Sequence, residues 1–179
     1  MQNDRKSSFN ETFNMILNEA IPPIEFVVPP PAHVQTVDKP AYSFADFAKK
    51  DQMRRVEAVV ACIVLEAAGE GRTGMEAVNE VIHNRAEKQH KSLYDIVTAH
   101  KQFSCFNAGV DAAIKKAKHD PHFKSRWDLA IQILQAPLTN HTNGATYYHT
   151  TKIQPYWVKD LVDKGYETVT VGHHKFYYL

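Results

Sequence analysis

The stretch VVACIVLEAAGEG, residues 59–71, decides how the chain is read. A run of apolar side chains from Val59 to Leu65 ends abruptly in Glu66, and Glu70 follows one helical turn later between Gly69 and Gly71. Extended backwards, the run from Met53 to Ala68 sets Val56, Val59, Val60, Ile63, Val64 and Ala67 at helical spacing. The two glycines are expected to end that helix. A carboxylate therefore stands where a buried helix leaves the core. Desolvation raises the pKa of such a group and keeps its proton on. A neutral carboxylic acid beside an apolar wall suits glycosidic cleavage, where it first gives a proton to the leaving oxygen and then takes one back. A glutamate that merely ends a solvated helix would read the same way, so these residues alone leave both possibilities open.

Downstream, Thr73 and Glu76 have the spacing of a capping box for a helix over residues 73–90, with Met75, Val78, Val81 and Ile82 as its apolar stripe. SLYDIVTA, from Ser92, predicts a short helix with an acid three residues after its cap. VDAAIKKAKHD (110–120) and PHFKSRWDLAIQILQA (121–136) predict two more, the second with proline in its first turn and Pro137 beyond its end. The texture then changes. GATYYHT and YETVTV are β-branched, aromatic and flanked by glycine, as in a small sheet or hairpin. The expected class is α+β, with helices first and a small sheet late in the chain.

The N-terminal part differs. Six of the nine prolines fall between Pro22 and Pro40, which predicts an extended arm over residues 1–45 ahead of a domain over 46–179. SFNETFNMILNEA (8–20) has the pattern of a short amphipathic helix. Ile21, Ile24, Phe26, Val27 and Val28 are too apolar for a polar linker, so the arm is expected to bury them against its own domain or a partner. A tail without fixed structure is the other reading.

Bulk properties exclude several classes. The formal net charge is +1, which gives no electrostatic case for nucleic acid as the main partner. No apolar stretch reaches the length of a membrane span, and none at the N-terminus has the form of a signal peptide. The expectation is synthesis in a cytoplasm without membrane insertion. Two cysteines make no disulfide framework; Cys62 reads as a buried free thiol, with a bridge to Cys105 left open.

Rival chemistries are weaker. Glu80 with His83, and Glu87 with His90, have di-iron-like E-x-x-H spacing, but both pairs lie on one helix and no HExxH or cysteine pair accompanies them. No metal or cofactor is expected. Ser104 and Cys105, in QFSCFN, are candidate nucleophiles without an assigned base. Late in the chain, GATYYHTTKIQPYW and GHHKFYYL hold five of the eight tyrosines with Trp157, Phe176 and three histidines. Such side chains stack on sugar faces and hydrogen-bond hydroxyls, although many would also serve to fill a sheet core.

In order, LEAAGEGRTGMEAVNEVIHNR, QFSCFN, GATYYHT…PYW and VTVGHHKFY resemble the signature blocks of the SleB/CwlJ-type cell wall hydrolases, a family of spore cortex-lytic enzymes and phage lysins. The resemblance spans about Val56 to Tyr177. It implies a lysozyme-like, lytic-transglycosylase-type domain cleaving the MurNAc–GlcNAc β-1,4 bond of peptidoglycan. Glu66 carries over as the single general acid/base, with the muramoyl 6-hydroxyl attacking to leave a 1,6-anhydro end. Gln102, Phe103, Ser104, Tyr147, His149 and His173 match later blocks and are expected to line the cleft, with Trp157 among its aromatics and Glu70 in a supporting role. Spore enzymes of the family carry a signal sequence and often a wall-binding repeat; the arm stands in their place here. A phage-encoded, virion-associated enzyme, held to other virion proteins by the arm and delivered to the host wall, is the expectation. A virion adaptor that kept the fold without turnover is the alternative.

Overall fold

The computed structural model describes residues 44–166 and 168–178. The chain divides into two units, Met1–Met53 and Arg54–Leu179, and the fold below is that of the second. The predicted helix over 8–20 and the Pro-rich stretch over 22–40 lie outside the described residues.

Helix α1, Phe44–Ala67, is followed by a single 3-10 turn, Ala68–Glu70, and by α2, Gly71–Gln89. Every residue from Ala58 to Val64 in α1 is buried. A helix apolar on all sides is a central one, and its cluster gathers Met75, Val78 and Ile82 of α2 together with side chains of the three helices that follow. Full burial of each valine or isoleucine contributes about 1.5–3 kcal/mol. This one segment therefore organises the helical body.

The capping box expected at Thr73 and Glu76 does not form. The helix starts at Gly71, two residues earlier, without a side-chain cap. Glu76 instead meets Arg72 at 3.3 Å and His141 at 3.0 Å. Helix α2 is also two-faced rather than single-striped. Met75, Val78 and Ile82 face the α1 cluster, whereas Ala77 and Val81 pack with Ala145 and Phe176 of the sheet region.

Helix α3, Leu93–Thr98, is capped as its sequence predicts, with Ser92 Oγ accepting the Asp95 N–H at 3.2 Å. A 3-10 turn at Ser104–Phe106 leads to α4, Val110–His119, and α5, Pro121–Gln135. Asp120 caps α5 by accepting the His122 N–H at 2.9 Å, with Pro121 in the first turn where no N–H is needed.

Three short strands complete the domain: β1, Tyr147–Thr150; β2, Thr168–Val171; and β3, His174–Tyr177, with β3 in the centre of an antiparallel sheet. In register, Tyr148 opposes Phe176 and Val169 opposes the same residue from the other side. Helix α6, Tyr156–Asp163, buries Val158 and Leu161 with Tyr177. The sheet thus has α2 on one face and α6 on the other. Phe176 is wholly buried core. Among the described residues no helix is long and apolar enough to cross a membrane.

Candidate active site

Glu66 occupies the last turn of α1, half-buried, where the helix emerges from the core. It lines a groove of about 730 Å³ whose other walls come from the 102–108 loop, α4 and strands β1 and β3. That volume lies in the range of ordinary ligand sites. The Tyr148 hydroxyl donates to Glu66 Oε2 at 3.0 Å. Burial, then the Glu66 charge, pushes the Tyr148 pKa well up, so the phenol keeps its proton and remains a donor. Its ring is fixed by stacking on Phe176 at 5.5 Å and by an edge contact with His174 at 5.2 Å.

His174 also lines the groove and is 5 % exposed. Burial is the main reason its pKa is lowered, which makes it a neutral imidazole. Its Nδ1 is buried without a protein partner. Arg85, from α2, is buried too. Its Nε donates to the Thr146 carbonyl at 2.6 Å and Nη1 reaches Gln102 Oε1 at 3.4 Å. The guanidinium lies 5.2 Å from the centre of the Phe103 ring and 5.6 Å from that of Tyr147. Behind Glu66, the buried Cys62 thiol is pushed up by desolvation first and by its hydrogen bond to Cys105 second. Both cysteines are free, and Cys105 is on the groove wall.

The expected cleft residues divide into two groups. Gln102, Ser104 and His149 line the groove with Glu66; Phe103, Tyr147, Trp157, His173 and Glu70 do not. Phe103 is buried beneath the Arg85 guanidinium. Tyr147 points to the opposite side of β1 from Tyr148 and lines a smaller cavity of about 250 Å³ with Arg85, Gln102 and Lys88. Trp157 packs edge-on against His149 and Tyr177 at 5.8 Å. His149 is itself clamped. A carbonyl can only accept, so Nδ1 donates to Thr150 O at 2.8 Å, and Nε2 accepts the Tyr177 hydroxyl at 2.8 Å.

Glu70 has a mechanical part. Its Oε2 accepts the His173 backbone N–H at 2.7 Å, and the His173 ring stands 3.2 Å from the same oxygen. That backbone bond is the main reason its pKa is lowered. A Cβ built on Gly172 would overlap Glu70 Oε2, and one on Gly74 would overlap Glu70 Cβ. Two glycines make room for one carboxylate, which clasps the β2–β3 turn to the start of α2.

Glu80 and His83 are engaged elsewhere. The buried Glu80 carboxylate accepts the Thr139 hydroxyl, the His141 N–H at 2.8 Å, and the Thr142 N–H and hydroxyl at 2.9 and 2.7 Å. His83 Nδ1 donates to Asn79 O at 2.9 Å. Glu80 staples the loop that feeds β1; Glu87 is exposed, and His90 closes α2 in a left-handed cap.

Compared with known proteins, residues 69–177 match the family model described as Cell Wall Hydrolase. Glu66 lies three residues before that match begins. No curated protein and no solved structure matches.

Proposed function

The chain belongs to the cell wall hydrolase family, whose substrate is peptidoglycan, and on that premise we propose that it is a lytic transglycosylase with Glu66 as its one acid/base. The observation that carries the reading is the groove's acid count: Glu66 is the sole acidic side chain among its lining residues. Two-carboxylate glycosidases need a partner about 5–5.5 Å away to retain or about 6.5–9.5 Å away to invert. Glu70, the nearest acid in sequence, is bound to the β2–β3 turn instead. With one carboxylate, the attacking group is supplied by the substrate.

Tyr148 holds Glu66 Oε2, which leaves Oε1 to carry the proton. Glu66 gives that proton to the glycosidic oxygen as the C1–O4 bond of the MurNAc–GlcNAc link breaks. The muramoyl 6-hydroxyl closes on C1, and its proton passes to the now ionised Glu66. The free enzyme is regenerated with a 1,6-anhydro end as product. His174, neutral and with Nδ1 unpartnered, offers the groove a further polar contact for a sugar hydroxyl. A helical body presenting a helix-end glutamate to a small late sheet supports the lysozyme-like reading of the fold.

Mass spectrometry of digested sacculi tests the proposal. Anhydro-muropeptides are expected. Reducing muramic ends would make the enzyme a hydrolase, and an absence of fragments would favour the adaptor. We assign the arm over residues 1–45 to partner binding in a phage particle, on the apolar character of Phe26, Val27 and Val28. Its deletion should leave digestion of purified sacculi intact and prevent incorporation into particles; lost digestion would place the arm in the catalytic domain.

A further inference from the structure

The charges on the groove are not those a neutral sugar chain would require. Its lining holds three fixed cations, Arg85, Lys101 and Lys116, against the single carboxylate of Glu66. The protein as a whole is almost balanced, at +1, so this excess is local. None of the three forms an ion pair with a carboxylate among the described residues.

Each cation is held in a way that costs stability or leaves donors unused. Arg85 is 8 % exposed, and a buried guanidinium whose hydrogen bonds go only to neutral acceptors is expensive, even with the Glu66 charge nearby. Of its five N–H donors, two are taken, by Thr146 O and Gln102 Oε1. It lines both the main groove and the adjoining smaller cavity. Lys101 has φ of +60° in the turn before Gln102, a left-handed conformation that glycine or asparagine would adopt more readily. A lysine there puts a cationic residue on the groove wall at a conformational cost, the kind of local strain that accompanies function. Lys116, in the last turn of α4, lies 5.5 Å from the centre of the Phe123 ring. That contact steadies its stem and leaves the ammonium without a counter-ion.

We propose that Arg85, Lys101 and Lys116 form a carboxylate-reading side of the groove that selects peptidoglycan strands by the acid groups on the muramoyl 3-O-lactyl arm. Two sources offer that chemistry: carboxylates of the attached stem peptide, or the lactyl carboxylate itself once the peptide has been removed. The glycan backbone alone carries neither. The inference rests on the transglycosylase reading for its substrate class and goes beyond it by naming what distinguishes one strand from another. These residues are specificity determinants and touch no reacting atom.

The test uses the full chain and three substrates: intact sacculi, strands stripped of peptide by an amidase, and stripped strands whose lactyl carboxylates are converted to neutral amides with ammonia and a carbodiimide. The wild type should show KM about tenfold higher on the neutral strands at similar kcat, the scale of two partly exposed ion pairs, and the difference should shrink with added salt. In K101Q/K116Q the charged-to-neutral ratio should collapse towards one. Preference for stripped over amidated strands identifies the lactyl carboxylate; preference for intact sacculi alone identifies the peptide. Co-sedimentation of Glu66→Gln with the same substrates gives a binding readout that needs no turnover. Absence of products with charge-selective binding would remove the transglycosylase reading and leave this one standing. Equal KM on all three substrates, undiminished selectivity in K101Q/K116Q, or charge-indifferent binding would overturn it. K101G separates conformation from charge: it should melt no lower than wild type and still lose selectivity.

Discussion

Gly172→Ala offers a sharp check on how the groove is assembled. At φ of +57°, an added Cβ costs about 1–2 kcal/mol from the left-handed backbone alone. It also overlaps Glu70 Oε2, so the carboxylate must swing away and release the His173 N–H. A hydrogen bond to a charged acceptor is worth about 1.5–3 kcal/mol. His173 is exposed, with 72 % of its side chain accessible, so water partly replaces the bond and the low end applies. The sum is about 3 kcal/mol, or roughly 10 °C in Tm for a domain of this size. In a Glu70→Ala background there is no carboxylate to displace, and the same substitution should cost only the backbone term of about 1–2 kcal/mol. A double-mutant cycle by urea denaturation should therefore return a coupling of at least about 1 kcal/mol. Costs that add within about 0.5 kcal/mol, the usual error for independent sites, would refute the clasp. Because the turn delivers His174 to the groove, Glu70→Ala should also slow digestion of sacculi although Glu66 is untouched.

Other outcomes follow from the same structure. Glu66→Gln should lower the rate by about 10²–10⁴, the contribution of a general acid, with an unchanged melting temperature; a variant within a fewfold of wild type would remove Glu66 from the chemistry. Tyr148→Phe deletes the 3.0 Å donor to Glu66 and should cost about 10–100-fold in kcat, from about 1.5–3 kcal/mol, while circular dichroism stays native. Glu80→Ala strands donors from Thr139, His141 and Thr142 and should destabilise the fold by about 3–5 kcal/mol, read by denaturant titration. Burial pushes the Glu80 pKa up, but its four hydrogen bonds outweigh that and hold it below the ordinary 4.5, and Glu70 is lowered as well. For a depressed carboxylate the stability is present above the unfolded-state pKa and lost as pH falls through the folded one. The wild type should therefore lose stability from about pH 4.5 downwards, and Glu80→Ala should show a shallower acid slope. An identical slope would contradict the assignment.

Helices were the most legible part of the chain because their signals are local. The apolar run before Glu66, the Ser92 cap and the Asp120–Pro121 start each act within a turn or two of the residues that display them. The Thr73 capping box failed for a tertiary reason: Glu76 is taken by Arg72 and His141, and the helix start is set by the preceding 3-10 turn. The sheet was harder. Two consecutive tyrosines look alike in sequence, and only pairing of β1 with β3 decides that Tyr148 faces Glu66 while Tyr147 faces Arg85 and Trp157. The same parity separates His174, in the groove, from His173, in the clasp. Strand β3 itself, HKFY, lacks a clean alternation because both its faces are covered, by α2 and by α6. Helix α6 leaves only a faint trace in sequence: Pro155 at its cap, then Val158 and Leu161 one turn apart. Arg85 was visible only as a residue of an amphipathic helix; its burial between two aromatic rings depends on segments far along the chain.

Strand order carries one last implication. The strand that joins both edges of the sheet, β3, is the last of the three to be synthesised, and nothing else in the described chain can hydrogen-bond β1 to β2. Until residues 174–177 have left the ribosome, Tyr148 has no Phe176 to lean on and the Glu70 clasp has nothing to grip. A polypeptide that stops short of residue 174 would thus carry Glu66 without the strand that steadies its Tyr148 donor.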